Sequence, residues 1–300
     1  MLNVMALISY PHIDPVIFKI GPVAVRWYGM AYLTGFVLAY FVLLRLVRTR
    51  ELPISADALS DLVGWLALGV VGGGRLGYWI FYHKPELGEV EPWWEPIAIW
   101  HGGMSFHGGL VGVMLVLFIW TRYKKLSFLQ LADCMALVTP IGLCLGRIAN
   151  FINAELVGRE SSVPWAMIFP GYTRPRHPSQ IYEAILEGPL LLGLVWAVRS
   201  WKNRRIGQIA ASFVVFYGIL RFAVEFTREP DKQLGYVEFG WLTRGQELSI
   251  LIGLAGLIWW VSLQLRGKRY EPPAPVTTAS RVSETPTTPP ASPRHSPGPR

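Results

Sequence analysis

The stretch GQIAASFVVFYGILRFAVEF, residues 207–226, is long enough to cross a membrane and yet carries charge. As a helix, a run of this length spans about 30 Å, the thickness of a bilayer's hydrocarbon core. Arg221 and Glu225 stand inside it, and ionisable groups at that depth are expensive and mark function by default. Tyr217, Arg221 and Glu225 recur at i, i+4 and i+8, so a phenol, a guanidinium and a carboxylate line one stripe of the helix. Two readings stay open: a pair that merely neutralises itself, or one wall of a polar interior.

Six further segments read the same way, near 23–47, 57–82, 104–121, 128–148, 181–199 and 246–266. Together they predict an all-α polytopic membrane protein of about seven spans. Composition agrees, since apolar residues make up 52% and charged residues 16% of the chain, against roughly 25% charged in soluble proteins. The 13 Trp suit membrane interfaces better than a soluble core. The opening MLNVMALISYPHIDP lacks the basic n-region of a signal peptide, so the first span is expected to stay in the mature protein.

The net charge of +8 would suit nucleic acid in a soluble protein. Here the cations sit beside the spans. Arg45, Arg48 and Arg50 follow the first, Arg122, Lys124 and Lys125 the third, and Arg199, Lys202, Arg204 and Arg205 the fifth. Arg266, Lys268 and Arg269 follow the seventh, while Glu86, Glu89, Glu91 and Glu95 lie between the second and third. The positive-inside rule then places the N-terminus outside and the C-terminus in the cytoplasm of a bacterial inner membrane. Membrane lipids, and no nucleic acid, are the partners this pattern implies.

Residues 1–270 read as the transmembrane domain. Two polar stretches, 149–180 and 227–245, fall outside the membrane and form external loops or a small subdomain. Residues 271–300 are rich in Pro, Ser and Thr and read as a disordered cytoplasmic tail without catalytic role.

The remaining ionisable groups gather towards the outer side. The fourth segment ends in GRIANFINAELVGR, where Arg147 and Asn150 share a face and Asn153, Glu155, Gly158 and Arg159 follow. A guanidinium beside amides and glycine suits a phosphate, whose oxygens it meets as a fork; a snorkelling helix end is the plainer reading. His107, in HGGMSFHGG, lies about one turn inside the third segment, where an imidazole can act as a base near neutral pH. The glycines around it leave room for a headgroup or a neighbouring helix. His101 reads as an interfacial residue. Arg75, in GGGRLGYWIFY, is either a further cation of the same cavity or a structural link. HPSQIYE, 177–183, enters the fifth segment and carries Tyr182 and Glu183 inward. Asp133 lies towards the other face and reads as a structural contact. Cys134 and Cys144, ten residues apart on what reads as one helix, are about 15 Å apart, too far for a disulfide. They are expected to be small packing residues, and no metal or soluble cofactor is implied.

Taken together, these motifs resemble the prolipoprotein diacylglyceryl transferase family. GRIANFINAELVG, Gly146 to Gly158, is similar to the family signature G-R-x-x-N-F-x-N-x-E-x-x-G. VRWYG around Tyr28, GGRLGY around Arg75, GGMSFHGG around His107, HPSQIYE around Glu183 and YGILRFAVEFTREPD from Tyr217 follow in the family's order. The resemblance runs from about residue 14 to 266. It implies transfer of the sn-1,2-diacylglyceryl group of phosphatidylglycerol to the lipobox cysteine of a prelipoprotein, with release of glycerol 1-phosphate and no cofactor. On that reaction, Arg147 and Arg221 are expected to clamp the phosphate and His107 to take the thiol proton. Tyr28, Asn150 and Glu155 would orient the headgroup or the external backbone, with Arg75, Asn153, Gly158, Tyr182 and Tyr217 as further substrate-binding residues. Glu183 and Glu225 would position Arg and Tyr side chains. A lipid-binding scaffold and an anion transporter are the alternatives; a transporter needs a polar path through both halves of the membrane, and here the charge crowds one half.

Overall fold

The computed structural model describes residues 8–21, 23–83, 92, 94–99, 102–229, 236–238 and 242–271. His101, Glu86, Glu89, Glu91, Asp231 and the tail from residue 272 therefore lie outside the described residues.

The chain begins with short strands β1 (Ile8–Ser9), β2 (Val16–Ile20) and β3 (Val23–Arg26) and then enters helix α1 (Trp27–Arg48). Helices α2 (Ala56–Phe81) and α3 (Phe106–Tyr123) follow, with a 3₁₀ turn at Glu95–Ile97 between them. Next come α4 (Phe128–Ala136), α5 (Thr139–Ile152) and strand β4 (Met167–Ile168). Helix α6 (Ser179–Ile185) runs through a π turn at Leu186–Leu190 into α7 (Leu191–Arg199). Helix α8 (Gln208–Glu225), strands β5 (Tyr236–Glu238) and β6 (Leu242–Thr243), and helix α9 (Arg244–Arg266) complete the order.

Six helices, counting α6 to α7 as one, are long and apolar enough to cross a membrane, and α4 with α5 makes a seventh, broken span. The molecule is an α-helical polytopic membrane protein. Three expectations need correction. The first span starts at Trp27 rather than residue 23, because Val23–Arg26 pairs antiparallel with Val16–Ile20. The fourth is two helices bent by 42°. Its cause is Pro140, which has no N–H for the carbonyl of Ala136 and whose ring crowds that carbonyl, so α4 stops there. The fifth is interrupted at Gly188, whose backbone leaves the helical region just before Pro189.

These breaks bear on the cysteines. Cys134 is on α4 and Cys144 on α5, so a single helix does not separate them; both are free thiols. Cys144 fills the dent at Gly188, where an added Cβ would come within 2.6 Å of the Cys144 Cβ.

The helices divide by burial. In α8 44% of the span is buried within the protein and in α6–α7 39%, against 17% in α1, α2 and α9. The first two are central, and the exposed Phe41, Leu76 and Ile258 of the others face lipid. Glycines set the closest contacts. Gly69, Gly73 and Gly77 of α2 meet Gly108 and Gly112 of α3, and a Cβ at Gly77 would stand 2.6 Å from the Gly108 Cα. Gly218 of α8 meets Gly253 of α9 similarly, at 2.8 Å.

On one face β1 pairs parallel with β4, and Tyr10, Val157 and Phe169 form a small separate core. The Tyr10 hydroxyl donates to the carbonyls of Phe151 and Ile152 at 2.9 and 2.7 Å, closing the end of α5. At the other face Asp133 accepts from the backbone N–H groups of Gly207 and Ala210, at 2.7 and 2.9 Å, and so caps α8. Glu51 there binds Arg199 at 2.5 Å and Arg204 at 3.8 Å.

Candidate active site

Where α5, α6, the π turn and the end of α8 converge, six charged side chains close into a ring. Arg147 Nε lies 3.0 Å from both Glu183 and Glu187. Glu187 reaches Arg221 Nε at 3.8 Å, and Arg221 Nη1 lies 2.8 Å from Glu225. Glu225 meets Arg228 Nε at 3.1 Å, and Arg228 Nη1 returns to Glu183 at 2.8 Å. Three guanidiniums alternate with three carboxylates. The carboxylates of Glu183 and Glu187 are 0% exposed, while the guanidiniums keep between 13% and 19% of their side-chain surface. Buried acid thus aims partly open base. The Arg221–Glu225 and Arg228–Glu225 pairs are close ion pairs that are not aligned as linear hydrogen bonds.

The ring exists because of local sequence. Glu183 and Glu187 are one helical turn apart on the α6 side, and Arg221 and Glu225 one turn apart on α8. The π turn ahead of Pro189 widens the helix at Glu187 and brings it against α5. Arg147 uses Nε on the glutamates; its two terminal nitrogens make no hydrogen bond among the described residues. Tyr217 and Tyr32 lie within electrostatic range of Arg147.

A second group adjoins the ring at the C-terminal end of α5. The Asn150 amide donates to the Tyr28 hydroxyl at 3.1 Å and to Glu155 at 3.3 Å, and Asn153 donates to the other Glu155 oxygen at 3.3 Å. Ala154 and Leu156, on either side of Glu155, both have φ of 54°. That left-handed conformation costs a residue with a Cβ on the order of 1 kcal/mol or more each. Gln180 Nε2 and Ser179 Oγ hold the turn through the carbonyls of Glu155 and Leu156, at 2.5 and 3.1 Å. Gly158 is wedged so closely that a Cβ would lie 2.5 Å from the Thr227 carbonyl oxygen. Its neighbour Arg159 donates from Nε to the Arg228 carbonyl at 2.5 Å, tying the two external segments together.

The other expected residues stand further off. Tyr182 accepts from Trp165 Nε1 at 2.5 Å and sits 3.2 Å from His177 Nδ1, within the external layer. Burial holds the His177 imidazole below its ordinary pKa. Arg75 is buried and spent on structure: it donates to the carbonyls of Glu95, Pro96, Gly102 and Gly103 and meets the Glu95 carboxylate at 3.5 Å. It pins the α2–α3 connection rather than facing the ring. His107 is exposed on α3, its ring against Phe106, and makes no hydrogen bond to a described residue. The structure brings Arg147, Glu183, Arg221 and Glu225 into one centre, and Tyr28, Asn150, Asn153 and Glu155 into its neighbour.

Two members of the ring escaped sequence reasoning, Glu187 and Arg228. Glu187 sits one turn past Glu183, a signal the sequence holds, but Gly188 and Pro189 obscure the helical phase. Arg228 lies beyond the end of α8 and reads as loop charge.

Fold and site define a multi-pass helical membrane protein with a buried, acid-aimed cluster of arginines. The prolipoprotein diacylglyceryl transferase family model matches residues 15–262. A phosphatidylglycerol–prolipoprotein diacylglyceryl transferase of Legionella pneumophila (strain Lens) is 46% identical over 256 residues, covering 85% of this chain and 99% of the relative. One of Nitratidesulfovibrio vulgaris is 46% identical over 272 residues, 89% of this chain and 100% of the relative. One of Coxiella burnetii is 45% identical over 257 residues, 85% of this chain and 97% of the relative. This chain belongs to the prolipoprotein diacylglyceryl transferase family, multi-pass transferases of the bacterial inner membrane.

Proposed function

We propose that this chain carries out the first step of bacterial lipoprotein maturation, with the six-charge ring as its phosphate-handling centre. The sn-1,2-diacylglyceryl group of phosphatidylglycerol passes to the cysteine thiol of a prelipoprotein lipobox. Sulfur bonds to the glyceryl carbon that carried the phosphate. The carbon–oxygen bond breaks, its electron pair leaves on oxygen as glycerol 1-phosphate, and the thiol proton goes to a base.

One observation carries this reading: Arg147 and Arg221, from different helices, are both ion-paired with the same buried carboxylate, Glu187. Donors held in place before the reaction stabilise charge without reorganising during it. The phosphate begins as a diester monoanion and gains charge as the ester oxygen departs. Arg147 and Arg221 therefore hold the transition state more tightly than the bound lipid, which is what accelerates a reaction. The ring itself is electrically balanced, so the arginines are not left as uncompensated charge when the site is empty. Glu183, Glu187 and Glu225 act as positioning residues. Tyr28, Asn150, Asn153, Glu155 and Gly158 orient the headgroup or the incoming peptide, and Tyr217 completes the wall beside Arg147. Tyr182 and Arg75 support the loops around the centre. His107 is assigned as the base, reaching the thiol once both substrates fill the space beside α3. The ring faces the outer side of the inner membrane, where prelipoproteins emerge, with the N-terminus outside and the C-terminus in the cytoplasm.

The test is direct. Purified protein with phosphatidylglycerol and a lipobox peptide yields the diacylglyceryl thioether and glycerol phosphate by mass spectrometry. Arg147→Ala and Arg221→Ala each abolish product while the protein stays folded; full activity in either removes the clamp. His107→Gln slows alkylation, least at high pH where more thiolate exists unaided; a normal profile between about pH 6 and 9 removes His107 as base.

A further inference from the structure

At the end of the molecule opposite the ring, the turn after α7 and the last turns of α9 border an open pocket of about 450 Å³ lined by Trp201, Lys202, Asn203, Gln208, Trp260 and Gln264. Its hydrogen-bonding polarity is one-sided. The Arg269 guanidinium, which only donates, takes the Asn203 side-chain oxygen, so Asn203 shows the cavity its NH₂. The Gln208 oxygen accepts from the Arg205 backbone N–H at 2.6 Å. Gln208 must then donate from Nε2, and it does so to the Gln264 oxygen at 2.8 Å. Gln264 in turn keeps only NH₂ for the cavity. Each of the three amide oxygens already accepts a hydrogen bond from the protein, which leaves the amide NH₂ groups of Asn203 and Gln264 and the Lys202 ammonium as the free polar groups lining the pocket.

A pocket rich in donors, one of them cationic, favours an anion. Two acids on this side are already engaged, Glu51 by Arg199 and Arg204 and Asp133 by the backbone N–H groups of Gly207 and Ala210. The position selects the anion further. Trp201 and Trp260 stand where the spans end, at the depth of lipid headgroups, and basic pockets between spans on the positively charged side bind anionic headgroups. We infer that this cavity binds the phosphate of an anionic phospholipid in the leaflet opposite the ring, as a second lipid site separate from the reacting one.

Two lysines make the test self-referencing. Lys202 lines the cavity, while Lys125 is exposed on the neighbouring basic loop. The full chain is placed in nanodiscs of phosphatidylglycerol or of phosphatidylcholine, and acylation of both lysines is followed by peptide mass spectrometry. Taking the ratio cancels the general surface potential. Lys202 is expected to react about fivefold more slowly relative to Lys125 in phosphatidylglycerol than in phosphatidylcholine, the factor expected from one favourable contact near a charged surface. Millimolar inorganic phosphate in phosphatidylcholine discs leaves the ratio unchanged. Gln264→Glu, which puts an acceptor and a negative charge into the donor set, removes the protection while diacylglyceryl transfer continues. Equal ratios in both lipids overturn the site. So does protection that survives in Gln264→Glu. Protection by inorganic phosphate overturns the lipid assignment in favour of a soluble anion.

Discussion

Glu187 pairs with the two arginines proposed to meet one phosphate, and its charge can be removed with little change of shape. In Glu187→Gln the ring gains one net positive charge, while Arg147 and Arg221 lose their shared anchor. Ground-state attraction for the phosphodiester rises and aim is lost. The expected result is kcat lower by roughly 100-fold, the scale of a misplacement near 1 Å, with an unchanged or lower KM for phosphatidylglycerol. A residue with only a structural role would lower the amount of folded enzyme and leave both constants of the remainder alone. Steady-state kinetics on the detergent-purified variant separates the two, and a higher KM with intact kcat would refute the positioning role. Asp133 is the contrasting case. It serves two backbone donors at the start of α8 and sits far from the ring's chemistry. Asp133→Asn can satisfy only one of them well, which costs about 1–3 kcal/mol. A thermal midpoint lower by a few degrees, with transfer rate per folded molecule unchanged, is the expected outcome.

Between elements, the glycine seam does what side chains do in a soluble core. Gly73 faces the Gly112 Cα, where a Cβ would stand 2.9 Å away, while Gly72 next to it meets nothing within 4 Å. Gly73→Leu must therefore push α3 off α2, moving His107 and the loop that Arg75 pins; Gly72→Ala should be silent. Expression and melting temperature of the pair check this, and tolerance of leucine at residue 73 would show that the seam is not tight. How far these contacts were legible in sequence differs by element. The seven spans followed from apolar run length, and the glycines around His107 pointed to a close neighbour. The sequence left open whether that neighbour was a headgroup or a helix. Breaks within spans were harder. Pro140 and Pro189 stand in the sequence, but apolar runs continue across them, because lipid rewards hydrophobicity whether or not the helix bends. At the site, Arg147, Glu183, Arg221 and Glu225 were legible because charge within a span is costly enough to stand out. Arg228 was not, since beyond the span that cost vanishes. Arg75 meets the same cost criterion and donates to the carbonyls of the α2–α3 connection, because span depth reports the expense of a charge and not what repays it.

For the whole molecule, the ring and the donor-lined cavity occupy opposite ends, and their meaning depends on which end faces the cytoplasm. On the proposed topology, the basic residues after α1, α3, α7 and α9 put that end inside. Ser161, between α5 and α6, then lies outside with the ring, and Lys125 lies inside with the cavity. Single cysteines at these two positions decide the matter, once Cys134 and Cys144 are replaced by serine. That replacement should preserve activity, because Cys134 is buried and Cys144 only fills the dent at Gly188. An impermeant maleimide is expected to label Ser161→Cys in intact spheroplasts and Lys125→Cys only after lysis. The reverse pattern would put the ring on the cytoplasmic face, away from prelipoproteins emerging outside, and the proposed path of the peptide thiol would fall with it.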